Sequence, residues 1–484
     1  MLMTQPALAR HEGLIYHVFP LGQTGAAKSS REAFSTAKNI REFAGWIPHL
    51  KDIGVDAVLF GPLTHSGSHG YDTVDLLSID PRLGTREDVK WLFDRLHEAD
   101  IAVVLDAVFN HVGREFSAFR DLAQRREDSP YLNWFSDVNF QADSPFGDGF
   151  SYGTWDGHAS LVKLNVLNPE VQKYLWSALE FWIMDLGIDG LRMDAADVIS
   201  PEIWPLLRKT ADDMYRNRTD AVGRPPFTRE GFWIMGEMVF GNYADICAPG
   251  MLDSITNYEL YKGLHSSHND GNYFELAWTL KRQFGEQGIY RDLKLYTFAD
   301  NHDVSRIASI LDRPEHIYPL HILLFTVPGL PSLYYGSETG VPGSKGRDDW
   351  ELRPVLDHSE LQIHGSHGDL LYEITRLREI RARTPALRDG EYRELSVDHR
   401  LFAFSRVLSP ENSHGEAGDE CIVAVNSDES TRTLSIPAER LQGSRYRDLL
   451  NGGDVVQIFT REDGLRVLEL PVHPCWGAVL QRIE

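Results

Sequence analysis

Short apolar runs rich in β-branched and aromatic residues recur through the first 390 residues and alternate with amphipathic helical patterns. This alternation is typical of repeated βα units, in which helices cover a parallel sheet. Eight such runs occur, at residues 14–19, 56–63, 101–109, 188–196, 232–240, 252–260, 294–300 and 331–338. Eight parallel strands of this kind predict a closed (β/α)8 barrel, an α/β fold.

The segments between the runs carry helical signals. Apolar residues recur at i, i+3, i+4 and i+7 in two of them: Ile40, Phe43, Ala44 and Ile47, then Val89, Leu92, Phe93 and Leu96. Each set predicts one apolar helix face that packs on the sheet. Asn168 and Pro169 predict the start of a longer helix, because Asn caps free N–H groups and Pro is tolerated at the first helical position.

Two parts of the chain depart from this rhythm. Residues 114–165 follow the third run without a full βα unit, and a structureless loop of that length is improbable in a domain. They predict an inserted subdomain over the barrel mouth, with the barrel at 1–113 and 166–390. Residues 391–484 contain short alternating segments and predict a C-terminal antiparallel β-sandwich, in which 409–420 form a surface loop.

The charge balance excludes several classes of partner. The chain has 48 Lys and Arg against 71 Asp and Glu, a formal net charge of −23. Nucleic acid and anionic membrane surfaces attract basic proteins, so neither is expected as a partner. A neutral small molecule would not be repelled.

Cysteine usage and the N-terminus bear on location. Cys247, Cys421 and Cys475 are few and far apart, which excludes a disulfide framework and fits a reducing compartment. The first residues lack the basic and apolar regions of an export signal, and no segment approaches the roughly 20 apolar residues of a spanning helix. We therefore expect a cytoplasmic protein.

Four motifs place polar groups at the carboxyl ends of predicted strands, where barrel enzymes build their active sites. They are DAVFNHVG (106–113), GLRMDAAD (190–197), MGEMV (235–239) and FADNHD (298–303). Each alone fits an ordinary structural role: a loop cap at Asp106 and Asn110, an ion pair between Arg192 and Asp194, a solvated Glu237, or a helix cap at Asp303. Because all four motifs are expected at the same end of the barrel, the sequence favours a shared chemical function for them.

Two of these carboxyls suit complementary roles. Arg192 and Asp194 are two apart on a strand and share a face, so the cation favours an ionised Asp194. Apolar neighbours around Glu237 would raise its pKa, which suits a general acid. A carboxylate and a carboxylic acid about 5–5.5 Å apart form the pair that a retaining glycosidase requires.

These motifs closely resemble the sequence regions of the α-amylase superfamily, glycoside hydrolase family 13. Further matches extend the resemblance along nearly the whole chain: YHVFP (16–20), GYDT (70–73), IDPRLGT (79–85) and YYGSE (334–338). The resemblance implies hydrolysis or transfer at α-glucosidic bonds with retention of configuration. It also implies that no organic cofactor takes part.

The same resemblance implies roles for individual residues. Asp194 corresponds to the nucleophile, Glu237 to the acid/base and Asp303 to the carboxylate that orients sugar hydroxyls. The residues implied to bind or support the sugar site are Tyr71, Asp106, His111, Arg192 and His302. Calcium is allowed but not required, with Asn110 as the implied ligand.

LVKLN (161–165) is similar to the MPKLN region of the cyclomaltodextrinase, neopullulanase and maltogenic amylase branch, with Leu161 and Val162 in place of Met-Pro. This likeness implies short or cyclic maltodextrins as substrates. Members of the branch typically have an extra N-terminal β domain that joins a dimer, whereas this chain starts almost directly at the first barrel strand. The protein is then either monomeric with an open cleft or a homodimer formed by another segment.

Aromatic residues in the inserted stretch are candidates for covering the substrate or contacting a partner. They are Phe146, Phe150, Tyr152 and Trp155. A small local core explains them equally well, because both roles require buried or stacked rings. Of the four, Trp155 is the predicted substrate-binding residue.

Rival functions remain open at the level of sequence. One is an α-amylase, α-glucosidase or transglycosylase of the same superfamily. Another is a Mg²⁺-dependent enolase-type barrel enzyme, in which Asp106, Asp194 and Glu237 would be metal ligands. A third is a catalytically inactive relative that serves as a binding subunit. Arg192 argues against the metal site, because a cation beside a ligand competes with the metal.

Overall fold

Eight parallel strands form one sheet in the computed structural model, and each overlaps one of the eight predicted runs. They are β1 (Ile15–Val18), β2 (Ala57–Phe60), β3 (Ala102–Ala107), β4 (Gly190–Met193), β5 (Trp233–Gly236), β6 (Ser254–Ile255), β7 (Tyr296–Phe298) and β8 (Leu330–Tyr334). β1 pairs with both β2 and β8, and a parallel bridge between Thr256 and Tyr296 joins the β6 and β7 edges. The barrel is therefore closed, as predicted.

The structure describes residues 13–31, 38–218, 232–346, 348–409 and 419–484 of the chain. The first 12 residues, which carry the expectation about an export signal, lie outside these ranges, as does most of the predicted loop at 409–420. Within them, no helix combines the length and apolar character needed to cross a membrane.

Alternate side chains along each barrel strand belong to two different hydrophobic cores. One set fills the barrel interior: Ile15, Ala57, Leu59, Ala102, Val104, Trp233, Met235, Tyr296, Phe298 and Leu330. The intervening residues, such as Val58, Val103 and Ile234, belong to the larger core between the sheet and the helices. This period of two makes Asp106, which continues the inward series of Ala102 and Val104, a residue of the barrel interior.

Helices cover the outside of the barrel and are here numbered in chain order. They are α1 (Pro20–Gln23), α2 (Ile47–Ile53), α3 (Arg86–Glu98), α4 (Ser117–Arg125), α5 (Pro169–Glu180), α6 (Ile203–Asn217), α7 (Tyr258–Asn269), α8 (Tyr273–Phe284), α9 (Ile307–Ile310), α10 (Ile317–Thr326), α11 (Leu361–His364), α12 (Leu370–Arg383) and α13 (Pro385–Asp389). The four apolar residues predicted for one face of α3 are all buried. Asn168 caps α5 by accepting from the N–H groups of Glu170 and Val171, as predicted.

Two local predictions differ from the structure. The stripe that starts at Ile40 forms a 3-10 helix over Ile40–Trp46, and α2 begins only at Ile47. Pro48 explains the break, because its ring would clash with the carbonyl of residue 44 in a continuous α-helix. The sixth run, predicted as a strand over 252–260, ends early because Asn257 accepts a hydrogen bond from the Leu260 N–H and so starts α7.

The chain between β3 and α5 contains a small sheet of its own. Its three antiparallel strands are His111–Gly113, Thr154–Trp155 and His158–Lys163. Helix α4 lies between the first and second of them in sequence. The inserted structure after the third barrel strand is therefore present, and its first strand follows β3 almost directly.

The C-terminal region is an antiparallel sandwich, as predicted. One sheet contains six strands, Glu391–Val397, Leu401–Leu408, Asp419–Asn426, Trp476–Arg482, Arg445–Asp448 and Val455–Gln457. The other contains three, Arg432–Pro437, Arg466–Val472 and Phe459–Thr460. A separate cluster that includes Ile422, Leu434 and Leu468 forms the core between them.

A buried carboxylate stabilises the barrel at the end opposite the motifs. Asp189 immediately precedes β4, and it accepts hydrogen bonds from the Val103 N–H (2.9 Å) and from Arg218 Nη2 (2.8 Å) and lies 2.7 Å from His97 Nε2. Burial alone would raise the pKa of Asp189. The charges of His97 and Arg218 outweigh burial and lower this pKa to about 2.

We predict that Asp189→Asn lowers the free energy of unfolding by about 3–5 kcal/mol, because it leaves buried cationic partners uncompensated. Asp185→Asn is the matched control: its ion pair with Arg86 is half exposed, and such pairs contribute about 1 kcal/mol or less. Urea unfolding at pH 7 measures both. Equal losses for the two variants would contradict this account of Asp189.

Candidate active site

The four predicted motifs meet at one end of the barrel. Asp106 lies near the end of β3, while Asp194 and Glu237 directly follow β4 and β5. Hydrogen bonds beyond the strand ends fix both backbones: the Asp194 N–H donates to the Ala107 carbonyl (3.1 Å) and the Glu237 N–H to the Met193 carbonyl (2.9 Å). The parallel register therefore brings these carboxyls to the same opening.

One guanidinium group contacts three of the carboxyls. Arg192 Nη1 lies 2.6 and 2.8 Å from the two oxygens of Asp106 and 3.2 Å from Asp194 Oδ1. Arg192 Nη2 lies 2.8 Å from Glu237 Oε2. The Arg192 side chain is only 4% exposed. The proposed nucleophile and acid/base therefore share one cation and one cleft.

The turn after Asp194 also holds Glu237. Ala195 has a φ of +49°, in the left-handed region that residues other than glycine rarely adopt. In this conformation its N–H lies 3.4 Å from Glu237 Oε2, and the next N–H, of Ala196, donates to the Glu237 carbonyl (2.9 Å). A strained turn beside two reacting groups is typical of a functional site.

The charge state of Asp194 in the free cleft differs from the sequence expectation. Burial raises its pKa well above the ordinary value, and the charges of Glu237, Asp106 and Asp303 raise it further. Arg192 opposes them but gives its shortest contacts to Asp106. Arg192 favours the ionised form of Asp194, as predicted, but burial and the neighbouring acids outweigh it, because one cation is divided among several carboxyls.

Asp303 lies in the opposite electrostatic situation. Its oxygens are 2.9 Å from His302 Nε2 and 3.2 Å from Arg353 Nη2. Burial would raise the pKa of Asp303, but the neighbouring His302 first, and then Arg353, hold it well below the usual range. Asp303 is thus an anion in a site where Asp194 tends to retain a proton.

Tyr71 is buried beside Asp106 and His302. Its hydroxyl donates to Asp106 Oδ2 (2.8 Å) and contacts His302 Nε2. The Tyr71 and His302 rings are nearly parallel, with centroids 5.5 Å apart. The structure therefore places Tyr71, Asp106 and His302 together, as the motif positions predict.

His111 lies at the boundary between the barrel and the inserted sheet. It is buried, which lowers the pKa of its ring to about 3 and keeps it neutral. Its Nδ1 lies 3.2 Å from the Asn110 amide nitrogen, and its Nε2 has no hydrogen-bond partner among the described residues. This nitrogen is itself fully buried in the structure.

The aromatic residues of the inserted stretch differ in their surroundings. Phe150 and Tyr152 are buried against Phe119, with Tyr152 4.9 Å from its ring, so they form a local core. Trp155 is half-buried and lies 6.0 Å from His111, at the cleft. Phe146 is 55% exposed and does not belong to that core.

Among the described residues, Asn110 is surrounded by few of the oxygen ligands that calcium prefers. Its side-chain amide faces the His111 ring and its carbonyl accepts from the Leu164 N–H (2.9 Å). In the described part of the chain, no three His, Cys, Asp or Glu side chains are grouped as metal ligands. Calcium prefers several oxygen ligands, so this donor set does not fit the implied role of Asn110.

Sequence reasoning missed several side chains of the site. Tyr258 donates to Glu237 Oε1 (3.1 Å), and Asn301 Nδ2 lies 3.2 Å from the Tyr258 hydroxyl. Arg353, which holds Asp303, comes from the segment after β8. Asn301 lies inside the quoted motif FADNHD and could have been found from it, whereas no local pattern marks Tyr258 or Arg353.

Residues 39–367 match the family model described as "Alpha amylase, catalytic domain". This match covers most of the chain, which therefore belongs to the α-amylase family.

Among curated relatives, the chain is 29% identical over 395 residues to a cyclomaltodextrinase from Bacillus sp, covering 80% of this chain and 65% of that protein. It is also 29% identical to neopullulanase 2 of Thermoactinomyces vulgaris, covering 94% and 76%. Among solved structures, the debranching enzyme of Nostoc punctiforme superposes with a TM-score of 0.79 at 25% identity, covering 99% and 100%. The chain thus spans just under two thirds of the first of these relatives.

The raised pKa of Asp194 predicts a protonated buried carboxyl in the free protein. Difference infrared spectra should show a carboxyl band that titrates at higher pH than an exposed Asp. Asp194→Asn should remove the contribution of Asp194 to that band, while those of Asp106 and Asp300, whose pKa values burial also raises, remain. Asp303→Asn is the control and should keep the contribution of Asp194, since Asp303 is already ionised. A contribution of Asp194 that titrates near pH 4 would contradict the prediction.

Proposed function

We propose that this chain is a retaining α-glucan hydrolase of the α-amylase family. The observation that carries the proposal is the single Arg192 guanidinium that holds both Asp194 and Glu237 at the barrel mouth. Retaining glycosidases need two carboxyls close enough to act on one glycosidic bond. Family membership adds the class of bond, an α-glucosidic linkage.

In the first half of the proposed reaction, an Asp194 oxygen attacks the anomeric carbon while Glu237 protonates the departing glycosidic oxygen. The bond between the anomeric carbon and that oxygen breaks, and a covalent glycosyl-enzyme forms. Asp194 reacts as the carboxylate, so the proton that it holds in the free site passes to water before attack. Arg192, which contacts Asp194, Glu237 and Asp106, offsets the negative charge that results.

In the second half, Glu237 is ionised and takes a proton from water, which attacks the anomeric carbon. The bond to Asp194 breaks and the product keeps the α configuration. A sugar substrate is neutral and brings no charge that must be balanced. The family's reaction therefore needs only protein carboxyls. We expect no cofactor to be required.

Other residues would bind the sugar. Asp303, held as an anion by His302 and Arg353, can accept two hydroxyl hydrogen bonds. The resemblance in sequence assigns a further hydroxyl to His111, whose ring is buried and neutral. Tyr71 lies beneath as the stacking surface, and Trp155 lies on the inserted side of the cleft.

For substrate we propose short or cyclic maltodextrins with α-1,4 and also α-1,6 bonds. The relatives named cyclomaltodextrinase and neopullulanase, and a debranching enzyme with the same fold, support this range. The net charge of −23 suits a neutral sugar. We further propose a cytoplasmic location, which the three free cysteines support, and a homodimer, for which the exposed Phe146 is a candidate contact.

We predict that Asp194→Asn lowers kcat on maltotriose by at least about 10⁴-fold, because it removes the nucleophile. In the wild-type reaction, NMR of the first product should show the α-anomer before mutarotation. Asp185→Asn, a surface change, should turn over like the wild type. An initial β-anomer would contradict the retaining mechanism, and full activity of Asp194→Asn would contradict the role of that residue.

The substrate proposal predicts a ranking. Turnover of β-cyclodextrin, maltotriose, pullulan and a mixed-linkage cyclic tetrasaccharide, measured by released sugar, should include at least one small or cyclic substrate that is faster than starch. If starch is the fastest of all, a longer-chain α-amylase is the better assignment. A product longer than the substrate would identify transglycosylation.

Chelation separates the hydrolase from the metal-dependent rival. We predict that exhaustive dialysis against EDTA changes kcat on maltotriose less than about twofold, since the proposed steps use only side chains of this chain. Dialysis without chelator is the control. Activity lost with EDTA and restored by Mg²⁺ would favour the enolase-type assignment, and restoration by Ca²⁺ would show a calcium requirement.

A further inference from the structure

Glu237 is held on both of its carboxyl oxygens, by different parts of the barrel. Oε2 lies 2.8 Å from Arg192 Nη2 and 3.4 Å from the Ala195 N–H. Oε1 accepts a hydrogen bond from the Tyr258 hydroxyl (3.1 Å). Tyr258 is the first residue of α7, so a helix that follows β6 reaches the carboxyl at the end of β5.

The direction of the hydrogen bonds around Tyr258 follows from the Asn301 amide. Asn301 Oδ1 accepts from the Asp303 N–H (2.8 Å), so its NH₂ group is the one that faces Tyr258, at 3.2 Å. An amide NH₂ only donates, and the Tyr258 oxygen must therefore accept from it. This leaves the Tyr258 hydrogen for Glu237.

Tyr258 remains a phenol throughout the working pH range. Burial raises its pKa well above 10, and the nearby charges of Glu237 and Asp303 raise it further. Its ring is fixed by an edge contact with Phe298, with centroids 5.0 Å apart. Tyr258 is thus a permanent donor aimed at one oxygen of the proposed acid/base.

We propose that Tyr258, oriented by Asn301, is a positioning residue that fixes the Glu237 carboxyl and stabilises it when it becomes an anion during leaving-group departure. The inference rests on the proposed function, in which Glu237 is the acid/base. A hydrogen bond to a charged acceptor is stronger than one to a neutral acceptor, so the contact strengthens as Glu237 gives up its proton. Stabilisation that grows toward the transition state raises kcat.

Several charged or titratable groups face Glu237. Arg192 contacts it from β4, and Asp194 and Asp197 face it from the turn after β4. Tyr258 faces it from α7. Removing the Tyr258 hydroxyl leaves the other groups in place. The ionised form of Glu237 is then less stabilised, because it loses one donor.

The test compares three variants on two substrates. Tyr258→Phe removes the hydroxyl, and Asn301→Asp supplies a carboxylate that diverts the Tyr258 hydrogen away from Glu237. Tyr261→Phe is the matched control: it makes the same chemical change one helical turn further along α7, where the ring stacks on Phe298. The substrates are maltotriose, whose leaving sugar needs protonation, and 4-nitrophenyl α-maltoside, whose leaving group does not.

For Tyr258→Phe and Asn301→Asp we expect kcat on maltotriose to fall about tenfold, a fraction of the roughly 10²–10⁴ that a general acid contributes. The alkaline limb of the kcat/KM profile should move up by about one pH unit. Release of 4-nitrophenol should change less than about twofold. Tyr261→Phe should match the wild type on both substrates.

The outcomes separate this inference from the proposed function. Glu237→Gln should lose maltotriose turnover; if it does not, Glu237 is not the acid/base and the role of Tyr258 is wrong with it. If Glu237→Gln is inactive but Tyr258→Phe and Asn301→Asp keep the wild-type alkaline limb, only the inference about Tyr258 is wrong. Equal losses on both substrates would also overturn it, because they indicate a packing defect.

Discussion

The position of Arg192 is the constraint on which the site depends. Three carboxyls surround one guanidinium group that is almost completely buried. The parallel register sets this arrangement, since Asp106 on β3 and Met235 on β5 both lie level with Arg192 on β4. Burial raises the pKa of Asp106 and of Asp194, and Arg192 opposes that rise at both. The barrel therefore supplies an electrostatic centre and the carboxyls are arranged around it.

The fold could be predicted from the sequence to the extent that it depends on local periodicity. Short apolar runs rich in β-branched and aromatic residues predicted all eight barrel strands, and the stripe that begins at Val89 predicted the buried face of α3. The errors arose where a single residue overrides the pattern. Pro48 divides one predicted helix, and the cap at Asn257 ends the sixth strand early. Each of these effects depends on a single residue. A hydrophobic pattern averaged over a segment of the sequence does not detect it.

The site was predictable where its chemistry is concentrated in short motifs at strand ends. Tyr258 and Arg353 were missed because each comes from a segment whose other residues carry no chemical signal. The charge state of Asp194 could not be read from its neighbour in sequence. It depends on the distances between Arg192 and acids that come from different strands. The order of residues in the sequence does not give these distances.

The strand His111–Gly113 belongs to the small inserted sheet, while His111 itself lies beside the cleft. The insertion is therefore continuous in sequence and in sheet pairing with the candidate site. A shift in register between His111–Gly113 and its partner strand His158–Lys163 would displace the His111 side chain as well. The fold of the insertion and the position of a candidate sugar-binding residue are thus coupled.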